Sequence, residues 1–162
     1  MIRVLLAAAV LALSACGTAS NTVLLVRHAE KGPGRDPDLT GEGRRRAIAL
    51  IDQAREAGVE AAIHTPFKRT AQTAEPVSEI LGIPRIQVDY TPGKESEHAD
   101  EVVRIIRERF VGKTVLVVGH TTTIPAILKK LGVSATREIP ETEYGTLFVV
   151  VEGGVTESRF GP

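Results

Sequence analysis

Two stretches of this sequence are built alike. Thr22-Val23-Leu24-Leu25-Val26 runs into Arg27-His28, and Thr114-Val115-Leu116-Val117-Val118 runs into Gly119-His120. Each is a continuous β-rich apolar run with no polar alternation, the pattern of a strand covered on both faces. A chain with two such strands must sandwich its sheet between helices, because a sheet with one wet face would show alternation. Short apolar runs at Ala61–His64 and Thr146–Val151 join them, with an alternating strand at Arg85–Tyr90 and an edge strand at Val155–Phe160.

Between these strands the apolar residues recur at helical spacing. Glu42–Ala57 is a predicted helix, with Thr40 as its N-cap and Gly58 as its stop. Its Arg44-Arg45-Arg46 triplet reads as a solvated face. Further helices are expected at Phe67–Ala74, Pro76–Leu81, Ala99–Phe110 and Thr123–Leu131, and Lys31–Asp38 and Thr91–Lys94 as loops. Strands alternating with helices predict an α/β fold, a three-layer sandwich with a mainly parallel central sheet flanked by helices. With 162 residues the chain fits one domain.

The first residues follow a different plan. Arg3 precedes an unbroken apolar run from Val4 to Leu13, then small residues to Asn21. Ten residues are too few to span a membrane, which needs roughly 20, and the pattern is that of an export signal. Leu13-Ser14-Ala15-Cys16 resembles a bacterial lipobox, in which the cysteine is acylated. The expected organisation is a signal peptide over 1–15, a lipidated Cys16 and short linker over 16–21, and one folded domain over 22–162. Cys16 is the single cysteine, so disulfide frameworks and cysteine-rich zinc sites are excluded. Localisation is expected in the cell envelope, at the periplasmic face of the outer membrane in a Gram-negative cell. The membrane is then a partner through the lipid.

Charge narrows the ligands. Twenty Lys and Arg balance twenty Asp and Glu, and there are no Trp, two Tyr and four Phe. Neither a global basic field nor a stacking surface for nucleic acid is present, so any anion site is local. In α/β sheets ligands bind beyond the carboxyl ends of the strands, where His28 and His120 fall. Arg27 stands beside the first. A third strand end, Ile63-His64-Thr65-Pro66, leads to Arg69 near a helix start. Two arginines, two histidines and helix N-termini suit a phosphorylated ligand, small or membrane-proximal. His64 is expected to pack at its strand end and His98 to be exposed.

These residues also resemble a known family. Val26-Arg27-His28-Ala29-Glu30-Lys31 is similar to the Arg-His signature of the histidine phosphatase superfamily, which includes phosphoglycerate mutases. Leu39-Thr40 before Gly43-Arg44 resembles its helix start. Thr65-Pro66-Phe67-Lys68-Arg69-Thr70 resembles its second-arginine motif, and Val117-Val118-Gly119-His120 its second-histidine motif. The resemblance implies a phosphoglycerate mutase-like fold and a metal-independent phosphatase without cofactor. It implies that His28 attacks phosphorus and becomes a phosphohistidine. Arg27 and Arg69 would hold the phosphoryl oxygens, and His120 would donate to one. Water would then hydrolyse the intermediate.

The general acid of many relatives has no clear match here. Glu95, Glu97 and Asp100 follow the Arg85–Tyr90 strand and are the candidates, with Glu95 preferred, or they are solvated carboxylates at a helix start. Two alternatives stay open: a non-catalytic phosphate-binding lipoprotein, and a metal-dependent hydrolase using His28, His64 and His120.

Overall fold

The computed structural model describes residues 20–134 and 136–162; the expected signal peptide (1–15) and Cys16 lie outside the described residues. The elements are β1 (Thr22–Arg27), α1 (Gly41–Glu56), β2 (Val59–His64), α2 (Lys68–Leu81), β3 (Arg85–Gln87), α3 (Glu95–Arg109), β4 (Thr114–Gly119), α4 (Thr123–Lys130), β5 (Thr146–Val151) and β6 (Gly154–Arg159). They form one sheet in the order β3-β2-β4-β1-β5-β6. The first four strands are mutually parallel, and β5 and β6 add antiparallel pairings at one side.

The unbroken apolar runs have the predicted cause. In β1, Val23 and Leu25 pack with Val102, Ile106, Ile124 and Ile127 of α3 and α4. Leu24 and Val26 point the other way, against Leu50 and Ala54 of α1 and Ala74 and Val77 of α2. β4 divides in the same manner, Val115 and Val117 against Leu116 and Val118. Because successive strand residues face opposite sides, a sheet with helices on both faces leaves no place for alternating polar residues. The three-layer sandwich is as expected.

Some boundaries differ. Pro76 lies inside a continuous α2 instead of separating two helices. The missing N–H and the ring cost an exposed helix about 3 kcal/mol, but Ala74 and Val77 on either side are fully buried and hold the axis against the sheet. Helix α3 begins at Glu95, four residues before Ala99. That extension puts His98 on the inward face, and it is 4% exposed rather than exposed. Its ring packs on Tyr90, and its Nδ1 donates to the Asp89 carbonyl at 2.9 Å. The arginine triplet is likewise not uniformly solvated. Arg44 and Arg45 are exposed, but Arg46 is buried. Its guanidinium holds the Glu30 carboxylate at 2.7–3.0 Å and donates to the Phe160 carbonyl at 2.9 Å.

The topology places the functional end. β1 and β4 are neighbours in register, with Arg27 opposite Gly119. The chain leaves β1 toward α1 on one face and leaves β4 toward α4 on the other. Adjacent parallel strands whose connections diverge this way open a crevice at their carboxyl ends. Antiparallel β5 starts at that same end, Leu147 pairing with Val26, so the residues just before β5 are delivered to the crevice too.

Candidate active site

His28 follows β1 directly, and its N–H donates to the Gly119 carbonyl at 3.0 Å. This bond continues the sheet one step past β1 and brings His28 beside His120. The two rings lie 5.4 Å apart between centroids. A second contact sets the chemistry of His28. Its Nδ1 faces the Ala29 carbonyl at 2.8 Å, and a carbonyl can only accept, so Nδ1 carries the proton. Nε2 therefore holds the lone pair. Burial, with smaller contributions from Arg27, Arg69 and Lys31, pulls the His28 pKa down to about 3. The imidazole is neutral throughout the physiological range.

Arg27 ends β1 with its side chain 4% exposed. Its Nη1 donates to the carbonyls of Pro140 (3.2 Å), Glu141 (2.7 Å) and Glu143 (3.2 Å). Nη2 donates to Glu141 Oε2 at 2.7 Å, and the guanidinium carbon sits 4.2 Å from the centre of the Tyr144 ring. Arg69, in the first turn of α2, stacks over Phe67 at 4.3 Å and pairs loosely with Asp36 at 3.7 Å. Among the described residues, the buried side-chain nitrogen and oxygen atoms without a hydrogen-bond partner are Nε of Arg27 and Nε of Arg69. Leaving such a donor unpaired costs about 1–3 kcal/mol. An anion between the two arginines would offset both costs.

His120 is placed by a chain of hydroxyls. Arg69 Nη2 approaches Nδ1 at 3.5 Å and can only donate, which leaves the proton on Nε2. That nitrogen donates to Thr65 Oγ1 at 3.0 Å, Thr65 meets Thr70 Oγ1 at 2.7 Å, and Thr70 donates to the Phe67 carbonyl at 2.8 Å. Burial first, then His28, Arg69, His98 and Arg27, lower the His120 pKa to about 2. Gly119 before it admits no side chain, since a Cβ would meet Thr123 Oγ1 at 2.7 Å. Thr123 Oγ1 in turn accepts from the His120 N–H at 2.8 Å.

Arg27, His28, Arg69 and His120 thus line one cleft of about 190 Å³, together with Lys31, Phe67, Tyr90, Pro92, Thr121, Thr122 and Glu141. Three cations face one carboxylate there. His64 packs at its strand end as expected, with Nδ1 donating to the Thr65 carbonyl at 2.6 Å. It does not line the cleft, and no group of three or more His, Cys, Asp or Glu with metal-binding spacing occurs among the described residues. The three-histidine metal site is therefore not assembled.

None of the three acid candidates enters the cleft. Glu97 pairs with Lys94 at 2.6 Å and Asp100 with Lys130 at 2.6 Å. Glu95 accepts from the Tyr90 hydroxyl at 2.8 Å, which holds its carboxyl below the usual range. Its reach stops one residue short of the site. The sequence reading also missed Thr65, Tyr90, Glu141 and Tyr144. The chain has only two tyrosines, and both flank the cleft; in so aromatic-poor a sequence that scarcity was the available signal.

The model for the histidine phosphatase superfamily (branch 1) matches residues 23–93, which contain His28 and Arg69 but end before His120. No curated protein matches the sequence. Among solved structures, the protein histidine phosphatase SixA complexed with tungstate is similar at TM-score 0.65 and 20% identity, over 86% of this chain and 96% of that one. Bacillus stearothermophilus YhfR is similar at 0.62 and 18%, over 80% and 90%. A mycobacterial glucosyl-3-phosphoglycerate phosphatase is similar at 0.62 and 13%, also over 80% and 90%.

Proposed function

We propose that the chain is a metal-independent phosphatase of the histidine phosphatase superfamily, whose model matches residues 23–93, and that it hydrolyses phosphomonoesters or related phosphoryl groups through a phosphohistidine on His28. The observation that carries this is the tautomer of His28. Nδ1 is committed to the Ala29 carbonyl, so Nε2 is a lone-pair nucleophile in a cationic cleft, and no base is needed to activate it. The SixA and glucosyl-3-phosphoglycerate phosphatase likenesses agree with a phosphoryl substrate.

The roles follow from the contacts. The Nε donors of Arg27 and Arg69 take phosphoryl oxygens and stabilise the charge spread over them in the transition state. His120 faces the same group. Burial first and the neighbouring cations second hold its pKa down, and a dianion beside it opposes that lowering and favours a proton on Nδ1, which then donates to an oxygen. Thr65 accepts from Nε2 and fixes the ring while this happens. Arginine and histidine neutralise the charge without a metal.

The protein is further proposed to act as an exported lipoprotein anchored through Cys16. Ser20 and Asn21 lie at the amino end of β1, the end away from His28. Six strand residues at about 3.3 Å each separate the two by roughly 20 Å. An anchored domain would turn its cleft away from the bilayer, toward phosphorylated molecules of the envelope. No helix among the described residues is long and apolar enough to cross a membrane.

The test is turnover of an aryl phosphate by the protein and by His28→Ala, each with and without chelator, with quenching in alkaline denaturant to trap the intermediate. Expected are chelator-resistant turnover lost in the variant and an acid-labile phosphoenzyme. Turnover abolished by chelator, or retained in His28→Ala, would overturn the reading.

A further inference from the structure

We propose that Glu141 is the catalytic acid and base of the phosphoryl transfer just assigned to His28, an inference that rests on that assignment. Among the described residues, Glu141 is the one carboxylate lining the cleft. It arrives from the loop before β5, whereas Glu95, Glu97 and Asp100 lie on α3. Its Oε2 accepts from Arg27 Nη2 at 2.7 Å and its Oε1 from Thr121 Oγ1 at 3.0 Å. The carboxylate thus occupies a donor that a phosphoryl oxygen would use.

That occupancy is easily exchanged. The Glu141 side chain is 78% exposed, and an ion pair with one partner so wet contributes little. Arg27 does not need it, since three backbone carbonyls already hold Nη1. A phosphoryl dianion, carrying twice the charge, competes for Nη2 and pairs the unpartnered Nε as well. Glu141 is then released at the cleft rim beside the dianion.

The proton balance closes over two steps. As His28 Nε2 bonds to phosphorus, the bond to the ester oxygen breaks, and that oxygen leaves as an alcohol with the Glu141 proton. In the second step water attacks the phosphohistidine, and the Glu141 carboxylate takes one water proton. The N–P electron pair returns to Nε2, and hydrogen phosphate departs. The next turnover begins with the same proton on Glu141.

The experiment compares an aryl phosphate, whose phenolate leaves unaided, with a primary alkyl phosphate, whose alkoxide does not. Wild type is measured beside Glu141→Gln, which keeps an acceptor for Arg27 but exchanges no proton. Glu97→Gln repeats the amide swap outside the cleft. Expected in Glu141→Gln is a loss of about 10²–10⁴-fold in kcat on the alkyl ester and less than about tenfold on the aryl ester, with both rates kept in Glu97→Gln. Equal losses on the two esters, or no loss on either, would overturn the acid role while leaving His28-dependent aryl turnover intact. Wild type that hydrolyses only the aryl ester would overturn it as well. Absence of His28-dependent turnover on both esters would instead remove the phosphatase reading, and this inference with it.

Discussion

Gly43 is the point at which helix α1 touches the nucleophile loop, and replacing it with alanine should damage both fold and chemistry. A Cβ built there meets the Glu30 carbonyl oxygen at 2.1 Å and the Glu30 N and C at 3.0 Å. Real Cβ contacts under 3.0 Å are essentially unknown, so loop and helix must part by roughly 1 Å. Glu30 cannot yield cheaply. Its carbonyl accepts from the Thr40 N–H at 2.9 Å, and its carboxylate is gripped by buried Arg46. Overpacking of this kind costs about 1–3 kcal/mol, and rigid backbone on both sides puts this site at the upper end. At about 2–4 °C per kcal/mol for a domain this size, Tm should fall by roughly 6–12 °C. The displaced residue lies two positions from His28, whose tautomer depends on the Ala29 carbonyl, and a misplacement of about 1 Å at a nucleophile costs on the order of 100-fold in rate. Gly41→Ala is the matched control, because a Cβ there meets only Arg45 Nη1 at 3.8 Å; it should be neutral or gain a few tenths of a kcal/mol. The assay is thermal unfolding plus kcat/KM on an aryl phosphate for both variants. A Gly43→Ala protein that melts and turns over like Gly41→Ala would show that helix and loop are not in rigid contact at Gly43.

Acid should destabilise the fold through its neutral histidines. His28 is depressed to about 3 and His120 to about 2. The unfolded chain protonates both near 6.5, and the folded chain does not, so stability is full above pH 6.5 and falls as pH drops toward 3. His28→Ala should flatten that decline by up to about 1.4 kcal/mol per pH unit, read from urea unfolding at pH 7, 5 and 4; parallel slopes would count against a buried neutral His28. Arg46→Met breaks a buried ion pair and strands the Glu30 carboxylate, so denaturant unfolding should show a loss of about 3–5 kcal/mol. Thr65→Val keeps the side-chain shape but removes the acceptor for His120 Nε2. It should lower kcat by about 10–100-fold, a transition-state loss near 1–3 kcal/mol; a variant that loses stability but keeps kcat would make Thr65 structural only.

Much of this molecule can be read along the chain, because its cause is local. The unbroken apolar runs of β1 and β4 require helices on both sides, and that requirement yields the three layers. Thr40 caps α1 through its own side chain, which accepts from the Gly43 N–H at 3.1 Å. Histidine directly after a buried strand lies at the sheet's carboxyl edge whatever the loops do, so His28 and His120 were legible as a pair, with Arg27 and Arg69 beside them. What failed was decided by contacts between separate elements. His98 and Arg46 carry polar side chains at positions that pattern alone sends to water. Each is buried because a backbone carbonyl or carboxylate outside its own helix accepts its hydrogen bond: Asp89 for His98, Glu30 and Phe160 for Arg46. Glu141 follows the nucleophile by more than a hundred residues, and no spacing rule connects them. It reaches Arg27 because β5 runs antiparallel to β1 and begins where β1 ends. Which side chains stand at the strand ends can be read along the chain, since strand periodicity is a property of the backbone. Which loop closes over them depends on strand order and direction, which no local pattern encodes.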